Sequence, residues 1–299
     1  MSTLTRSYIA AICAFVLFGS TSLVVKGSSL TVPELIFGRM AITAALLAPI
    51  SWKALKESRS KMSRRVLGFT MATSAAIFLN MILLFWAFRL APISVCVAIF
   101  YSGPIISLLL QHLLKQRKMS RVESAILAAA SLTIVTMIVF ATPGVPGSNH
   151  VLGYALAFGG GILFGLIPLL QIGTRSLPNS VTLLIQSAFA ALCLLPFSLG
   201  IFSVTAMKSV FELAILGILF TLVPFCLWWQ ALRENAKLNP FVSYLDPMTA
   251  ILISVFVFKE YPGWVEATGA FVLGGCALIA MSAQKSNRSE EGVDSSSAP

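Results

Sequence analysis

Charge is what this sequence has least of. Asp, Glu, Lys and Arg together make up 11% of it, against 57% hydrophobic residues and a mean hydropathy of +0.89. That balance excludes an ordinary water-soluble globule, whose surface needs far more charge. Histidine is nearly absent: His112 and His150 are isolated at a helix end and in a loop, and with no third ligand beside them they define no metal site. The five cysteines, Cys13, Cys96, Cys193, Cys226 and Cys276, fall inside apolar runs without metal-ligand spacing, as packing residues do, not members of a disulfide framework. A phosphate-binding loop is excluded as well, because the glycines Gly159, Gly160, Gly161 and Gly165 follow no strand and precede no Lys-Ser/Thr pair. Nothing in the sequence calls for a cofactor.

What the sequence has in quantity is apolar runs long enough to cross a bilayer, about 20 residues each. Ten can be read: Ser7 to Lys26, Pro33 to Trp52, Val66 to Phe88, Ile93 to Leu114, Val122 to Thr142, Val151 to Gln171, Ser180 to Gly200, Ser209 to Ala231, Pro240 to Phe258 and Gly263 to Gln284. The expected fold is therefore an all-α integral membrane protein of ten transmembrane helices. The first run follows Arg6 as a secretory signal would, but it lacks a small-residue cleavage site and nine more runs follow, so it reads as a retained helix. Residues 285–299 are polar, Ser-rich and free of aromatics, and are expected to be a disordered cytoplasmic tail.

The net charge of +10 is a statement about topology. With the N-terminus inside, the cytoplasmic segments carry Arg6, the basic run from Lys53 to Arg65, Lys115 to Arg121, Arg175, Arg233, Lys237, Lys285 and Arg288. The opposite side holds only Lys26, Arg89, Lys208 and Lys259, and Arg39 lies within a span. Basic loops stay in the cytoplasm, so both termini are expected there, and the basic run needs no nucleic acid to explain it.

The chain also repeats itself. The stretch from Trp86 to Pro104 returns 143 positions later as Trp229 to Pro247, with Tyr101 on Tyr244 and Glu123 on Glu266. At a slightly larger offset, LFG at Leu17 to Gly19 returns at Leu163 to Gly165, and Pro33 returns at Pro178. Two five-helix units follow, residues 1–142 and 151–284. Five is odd, so a unit that starts inside ends outside and its copy begins from the opposite face. The halves are expected to be inverted repeats, the recurring plan of secondary transporters with a site at the midplane.

These residues carry a family likeness. Ten short-looped helices in two copies, LFG in the first helix of each copy, Arg39 in the second helix and the run SYLDPMTAILISVFVFKE from Ser243 to Glu260 resemble the EamA-like permeases of the drug/metabolite transporter superfamily. The resemblance covers Ser7 to Gln284, and rests in the ninth helix on Leu245, Asp246, Pro247 and Glu260. In the first copy the corresponding positions are Gly103 in place of the acid and Arg117 in place of Glu260, which departs from the pattern. The resemblance implies an export-type carrier with a central cavity shared by the two halves.

Asp246 is the sharpest site candidate, because a charge at the bilayer centre costs about 2.5 to 3.5 kcal/mol and is rarely kept without a role. At helical spacing Asn239, Ser243, Asp246 and Ala250 share a face with Thr249 beside it. A carboxyl there suits a proton-carrying site, a partner for a cationic substrate group, or a fixed charge pair with Arg39. Pro104 and Pro247 lie mid-helix, where each removes a backbone hydrogen bond; such breaks line a cavity or are plain packing kinks. Tyr101 and Tyr244, three residues earlier, point away from the Asp246 stripe by helical geometry and are either ligand contacts or core aromatics. Trp86, Trp228 and Trp229 stand near helix ends as interfacial belt residues might be expected to, although Trp228 shares a face with Thr221 and Pro224. Asn80 lies on a semi-polar stripe with Thr70, Thr73, Ile77 and Leu84, and Ser22 aligns with Gly19 and Lys26. Gln171 and Gln186 read as interhelical glue, and the small-residue spacing at Gly161 and Gly165 as close packing.

The leading expectation is thus a secondary transporter, a probable exporter, moving a small polar or amphipathic metabolite by alternating access. One carboxylate among Tyr, Trp and Asn, with no cluster of intramembrane bases, fits a zwitterion such as an amino acid better than a sugar phosphate. An intramembrane enzyme would need a second carboxylate or a histidine at the depth of Asp246. A passive channel or lipid-scrambling protein is the alternative. Proton coupling and a homodimer are left open, and the compact loops suit a bacterial cytoplasmic membrane.

Overall fold

The computed structural model describes residues 3–114, 121–140, 150–200, 207–235, 242, 245–257, 259, 263–265, 267–269, 271–272, 275–276 and 279. Tyr244, Glu260, Asn239, Ser243 and the 285–299 tail lie outside the described residues. The described residues are helical, with no strand among them. In chain order the helices are α1 (Thr3–Gly19), α2 (Ser22–Gly27), α3 (Val32–Glu57), α4 (Arg64–Leu90), α5 (Ile93–Phe100), α6 (Ser102–Leu113), α7 (Arg121–Val139), α8 (His150–Ile172), α9 (Asn179–Leu194), α10 (Met207–Gly217), α11 (Val223–Asn235) and α12 (Leu245–Phe256). A π-helical stretch, Ile218–Leu222, joins α10 to α11.

Six helical segments are long and apolar enough to cross a membrane: Arg6–Val25, Val32–Glu57, Arg64–Leu90, His150–Ile172, Asn179–Phe197 and Lys208–Leu232. Val95–Ser107 and Ser124–Thr136, in the fourth and fifth expected spans, are shorter apolar helices. The second and third spans are set by strong caps. At the start of α3 the Thr31 hydroxyl accepts from the Glu34 amide at 3.4 Å while Glu34 accepts from the Thr31 amide at 2.7 Å, a reciprocal box with Pro33 in the first turn. Ser63 opens α4 by accepting from Val66 N at 3.2 Å, just after the basic turn that separates the two helices.

Where the sequence places one mid-helix proline, the structure interrupts the helix at a single residue, Tyr101, one turn ahead of it. α5 ends at Phe100, Tyr101 stands between, and Pro104 sits in the first turn of α6, where its missing N–H is no loss. The carbonyl four residues before Pro104 belongs to Phe100, and α8 packs directly against it. A Cβ on Gly161 would lie 2.6 Å from Phe100 O, and one on Gly165 2.5 Å from Gly103 O. On the other side of the molecule, a Cβ on Gly19 would run into Asp246 O and lie 2.8 Å from the Thr249 Cβ. Gly19 and Gly165 close the two LFG motifs, so each motif presents its glycine to the backbone of a broken or freshly begun helix. α1 accordingly packs on α11 and α12, and α8 on α4, α5 and α6, while α3 lies against α9 and α10. In lipid such helix pairs gain from close backbone approach, since no hydrophobic drive separates helix from acyl chain.

Three of the buried polar residues inside this packing are linked by hydrogen bonds. Gln186 Nε2 donates to Gln171 Oε1 at 3.1 Å, and the Ser74 hydroxyl donates to Gln186 O at 2.5 Å, tying α4, α8 and α9 together. The five cysteines are unpaired, Cys13 on the exterior and Cys96 in the core.

The glycine contacts are testable by thermal unfolding of the purified protein in detergent. Gly161→Val and Gly165→Val should each cost about 1–3 kcal/mol, the usual range for overpacking against atoms that cannot yield. Gly68→Ala, whose new methyl would meet nothing within 4 Å, should bring no loss. Equal behaviour of all three would show that the close approach carries no stability.

Candidate functional site

The breaks and crossings leave a cavity among the described residues. α1, α3, α4, α5, α8, α11 and α12 all contribute to it, so both halves of the chain build its wall. The wall is largely aromatic. Ring centroids run from Tyr101 to Phe164 at 6.0 Å, from Phe164 to Trp228 at 6.0 Å, and from Trp228 to Phe18 at 5.8 Å; Phe225 lies 5.1 Å from Phe18. Most of these pairs are edge-to-face or tilted, the geometry that ring quadrupoles favour.

One corner of the cavity is polar. Asp246 lies in the first turn of α12, with its backbone carbonyl held against Gly19. Tyr101 lines the same cavity as Asp246. This corrects the expectation that Tyr101 points away from the Asp246 stripe. Helical geometry on a single helix is no guide here, because Tyr101 is the pivot between α5 and α6 and shares the cavity with Asp246 from the other half of the chain. Ser22 and Thr21 line the cavity where α1 gives way to α2, and the Ser22 hydroxyl donates to Gly19 O at 3.1 Å. Asn80 lines it from α4, with Ile77 and Leu84 of the same stripe beside it.

Arg39 also touches the cavity, but its guanidinium is committed elsewhere. Nε donates to the Thr221 hydroxyl at 2.7 Å and an Nη donates to Phe220 O at 2.7 Å. Both acceptors lie in the π-helical stretch, where Val223 N–H reaches back five residues to Ile218 O. Pro224, four residues after Phe220, has no N–H to offer that carbonyl, and Arg39 supplies the donor across the helix boundary. Thr221 passes its own proton to Leu216 O at 2.6 Å. The Thr43 hydroxyl, one turn along α3, lies 2.8 Å from Arg39 O and 2.9 Å from Gly217 O, so a second donor from α3 reaches the same region. The guanidinium carbon lies 5.7 Å from the Phe85 ring centroid, and the whole side chain is 1% exposed. Among the described residues no ion pair joins Arg39 to Asp246; the partners that the structure gives Arg39 are Thr221 and Phe220.

The remaining expected residues are placed as follows. Trp228 and Trp229 are both buried and stacked on each other at 4.5 Å, which removes them from an interfacial belt, whereas Trp86 is 45% exposed. Trp228 faces the cavity. Pro104 and Pro247 each stand in the first turn of a helix, α6 and α12, and are not mid-helix kinks; their ring contacts, like Tyr244 as a whole, lie outside the described residues. Phe18, Phe100, Phe164 and Phe225 went unread in the sequence. The signal was present for two of them, since Phe18 and Phe164 are the central residues of the two LFG motifs.

Comparison with known proteins agrees with this geometry. Residues 5–140 match the model of the EamA-like transporter family. The chain is 23% identical over 300 residues to the uncharacterized transporter YxxF of Bacillus subtilis (strain 168), an alignment spanning 97% of this chain and 94% of that protein. A crystal structure superposes with a TM-score of 0.64 at 17% identity, covering 92% of this chain and 96% of the other, which establishes likeness of fold.

The Arg39 clasp generates a double-mutant test. Arg39→Met should destabilise the protein by about 1–3 kcal/mol, the cost of stranding a buried acceptor. Pro224→Ala restores an N–H four residues from Phe220, so adding it to Arg39→Met should recover part of that loss. Strict additivity in thermal unfolding would show that the arginine is not answering the proline.

Proposed function

We propose that this chain, whose residues 5–140 match the EamA-like transporter family, is a multi-pass membrane transporter of the drug/metabolite superfamily that works as a secondary carrier, exporting a small polar or amphipathic metabolite by alternating access. The observation that carries this reading is the cavity itself, enclosed by helices from both halves of the chain and holding the Asp246 carboxyl beside Tyr101. A passive pore has no need of a chamber walled by both halves around a single acid, and an enzyme would need a reacting partner for that acid.

The exchange of partners between halves supports an inverted repeat with units 1–142 and 151–284. The first helix of each unit packs on the other unit: α1 on α11 and α12, α8 on α4, α5 and α6. Rocking one unit against the other about these crossings exchanges which side reaches the cavity. The basic loops orient both termini to the cytoplasm in a cytoplasmic membrane. Asp246 is the group that takes up a proton or a substrate cation, and its place against Gly19 puts it at a crossing that rocking would move.

Purified protein in proteoliposomes tests this directly. Preloaded vesicles should accumulate labelled substrate by counterflow, and Asp246→Asn should abolish proton-coupled uptake or exchange. A passive channel would give no counterflow, and an unchanged pH dependence in Asp246→Asn would remove the coupling role.

A further inference from the structure

We infer, on the carrier reading above, that the cavity selects amphipathic monoamines: molecules with an ammonium head and an apolar or aromatic body, and no carboxylate. Among the described residues lining the cavity, Asp246 is the one acid and Arg39 the one base. A zwitterion would need both of them. Arg39 is turned to the wall, however: Nε and one Nη lie 2.7 Å from Thr221 Oγ1 and Phe220 O respectively, and the side chain is 1% exposed behind Phe85. Two of its five N–H donors are thereby committed to the π-helical stretch, and Asp246 is the charged group left to orient a ligand.

A ligand carboxylate entering this space would therefore meet the Asp246 carboxyl and the faces of aromatic rings. Both repel it, the first by like charge in a medium of low dielectric and the second through the negative face of the ring quadrupole. A ligand ammonium meets the same groups with the opposite sign of interaction. Tyr101 shares the cavity with Asp246, and the rings of Phe164, Trp228 and Phe18 run on from Tyr101 in steps of about 6 Å. An ammonium seated at Asp246 leaves its body lying along that row.

Four probes sharing one body separate the possibilities: 2-phenylethylamine, L-phenylalanine, 3-phenylpropionate and 2-phenylethanol, titrated calorimetrically into the full-length protein in nanodiscs. The amine should bind at least about tenfold more tightly than phenylalanine, a difference of about 1.4 kcal/mol, and 3-phenylpropionate should give no binding heat. Asp246→Asn should lose that preference. Phe164→Leu, which keeps an apolar wall but removes a ring face, should weaken the amine more than 2-phenylethanol, and it decides the matter if Asp246→Asn does not fold. Phenylalanine binding as tightly as the amine, an amine preference surviving in Asp246→Asn, or no binding by any probe would overturn the assignment. The same probes in counterflow keep the two readings apart. Amine binding without counterflow would overturn the carrier and leave the ligand class standing, whereas counterflow of phenylalanine in preference to the amine would do the reverse.

Discussion

Inside a bilayer a backbone carbonyl without a donor has no water to turn to, and the architecture of this protein is arranged around the carbonyls that its prolines release. Two solutions appear. At Pro224 the remedy is a side chain: Arg39 of α3 reaches Phe220 O and Thr221, so a charged residue deep in an apolar helix acts as a hydrogen-bond donor to a neighbouring helix. At Pro104 the remedy is proximity. The helix breaks at Tyr101, and α8 brings Gly161 and Gly165 against Phe100 O and Gly103 O, close enough for the backbones to shield one another from lipid. Both remedies join one half of the chain to the other.

The cavity follows from those same breaks. A helix that stops and restarts turns the residue at its joint away from the helical face it would otherwise occupy, and here that residue is Tyr101. It lines the cavity together with Asp246 of the opposite half. The aromatic wall has the same origin, because the two LFG motifs set Phe18 and Phe164 next to the glycines that make the crossings, and both rings come to rest on Trp228 at 5.8 and 6.0 Å. Residues that fix helix packing and residues that face the cavity are thus immediate neighbours in sequence, so movement at a crossing is felt at once in the wall.

This division explains which features the sequence made legible. Apolar run length and the placement of Lys and Arg mark where helices pass through lipid, and the spans from Arg6 to Val25, Val32 to Glu57 and Arg64 to Leu90 emerge close to the runs read from composition. Asp246, Asn80, Ser22 and Trp228 were legible as polar or aromatic exceptions on apolar faces, and all four line one cavity. The fate of Arg39 was not legible, since its partner is a carbonyl defined by a proline in a helix 182 positions away from it by the Thr221 contact. Nor was the orientation of Tyr101, because periodicity assumes that the helix continues. Phe18 and Phe164 were hidden for a different reason: a Phe in an apolar run carries no contrast, and only their shared motif distinguishes them.

The position where the two copies disagree has a steric cause. Gly103 and Asp246 occupy matched places, and the carbonyl of each is packed against the glycine of an LFG motif. A side chain at 103, though, would have to pass Gly161 O at 2.6 Å and the Phe164 ring at 2.9 Å, so at this crossing the chain admits no Cβ at all. At 246 a carboxylate is accommodated, and it enters the cavity. Both crossings are close at the motif glycine, Gly165 against the Gly103 carbonyl and Gly19 against the Asp246 carbonyl, and they differ only in what the matched position can hold. Two carboxylates facing one chamber would repel each other through a medium that screens poorly. Steric exclusion of any side chain at 103 leaves the single charge at 246.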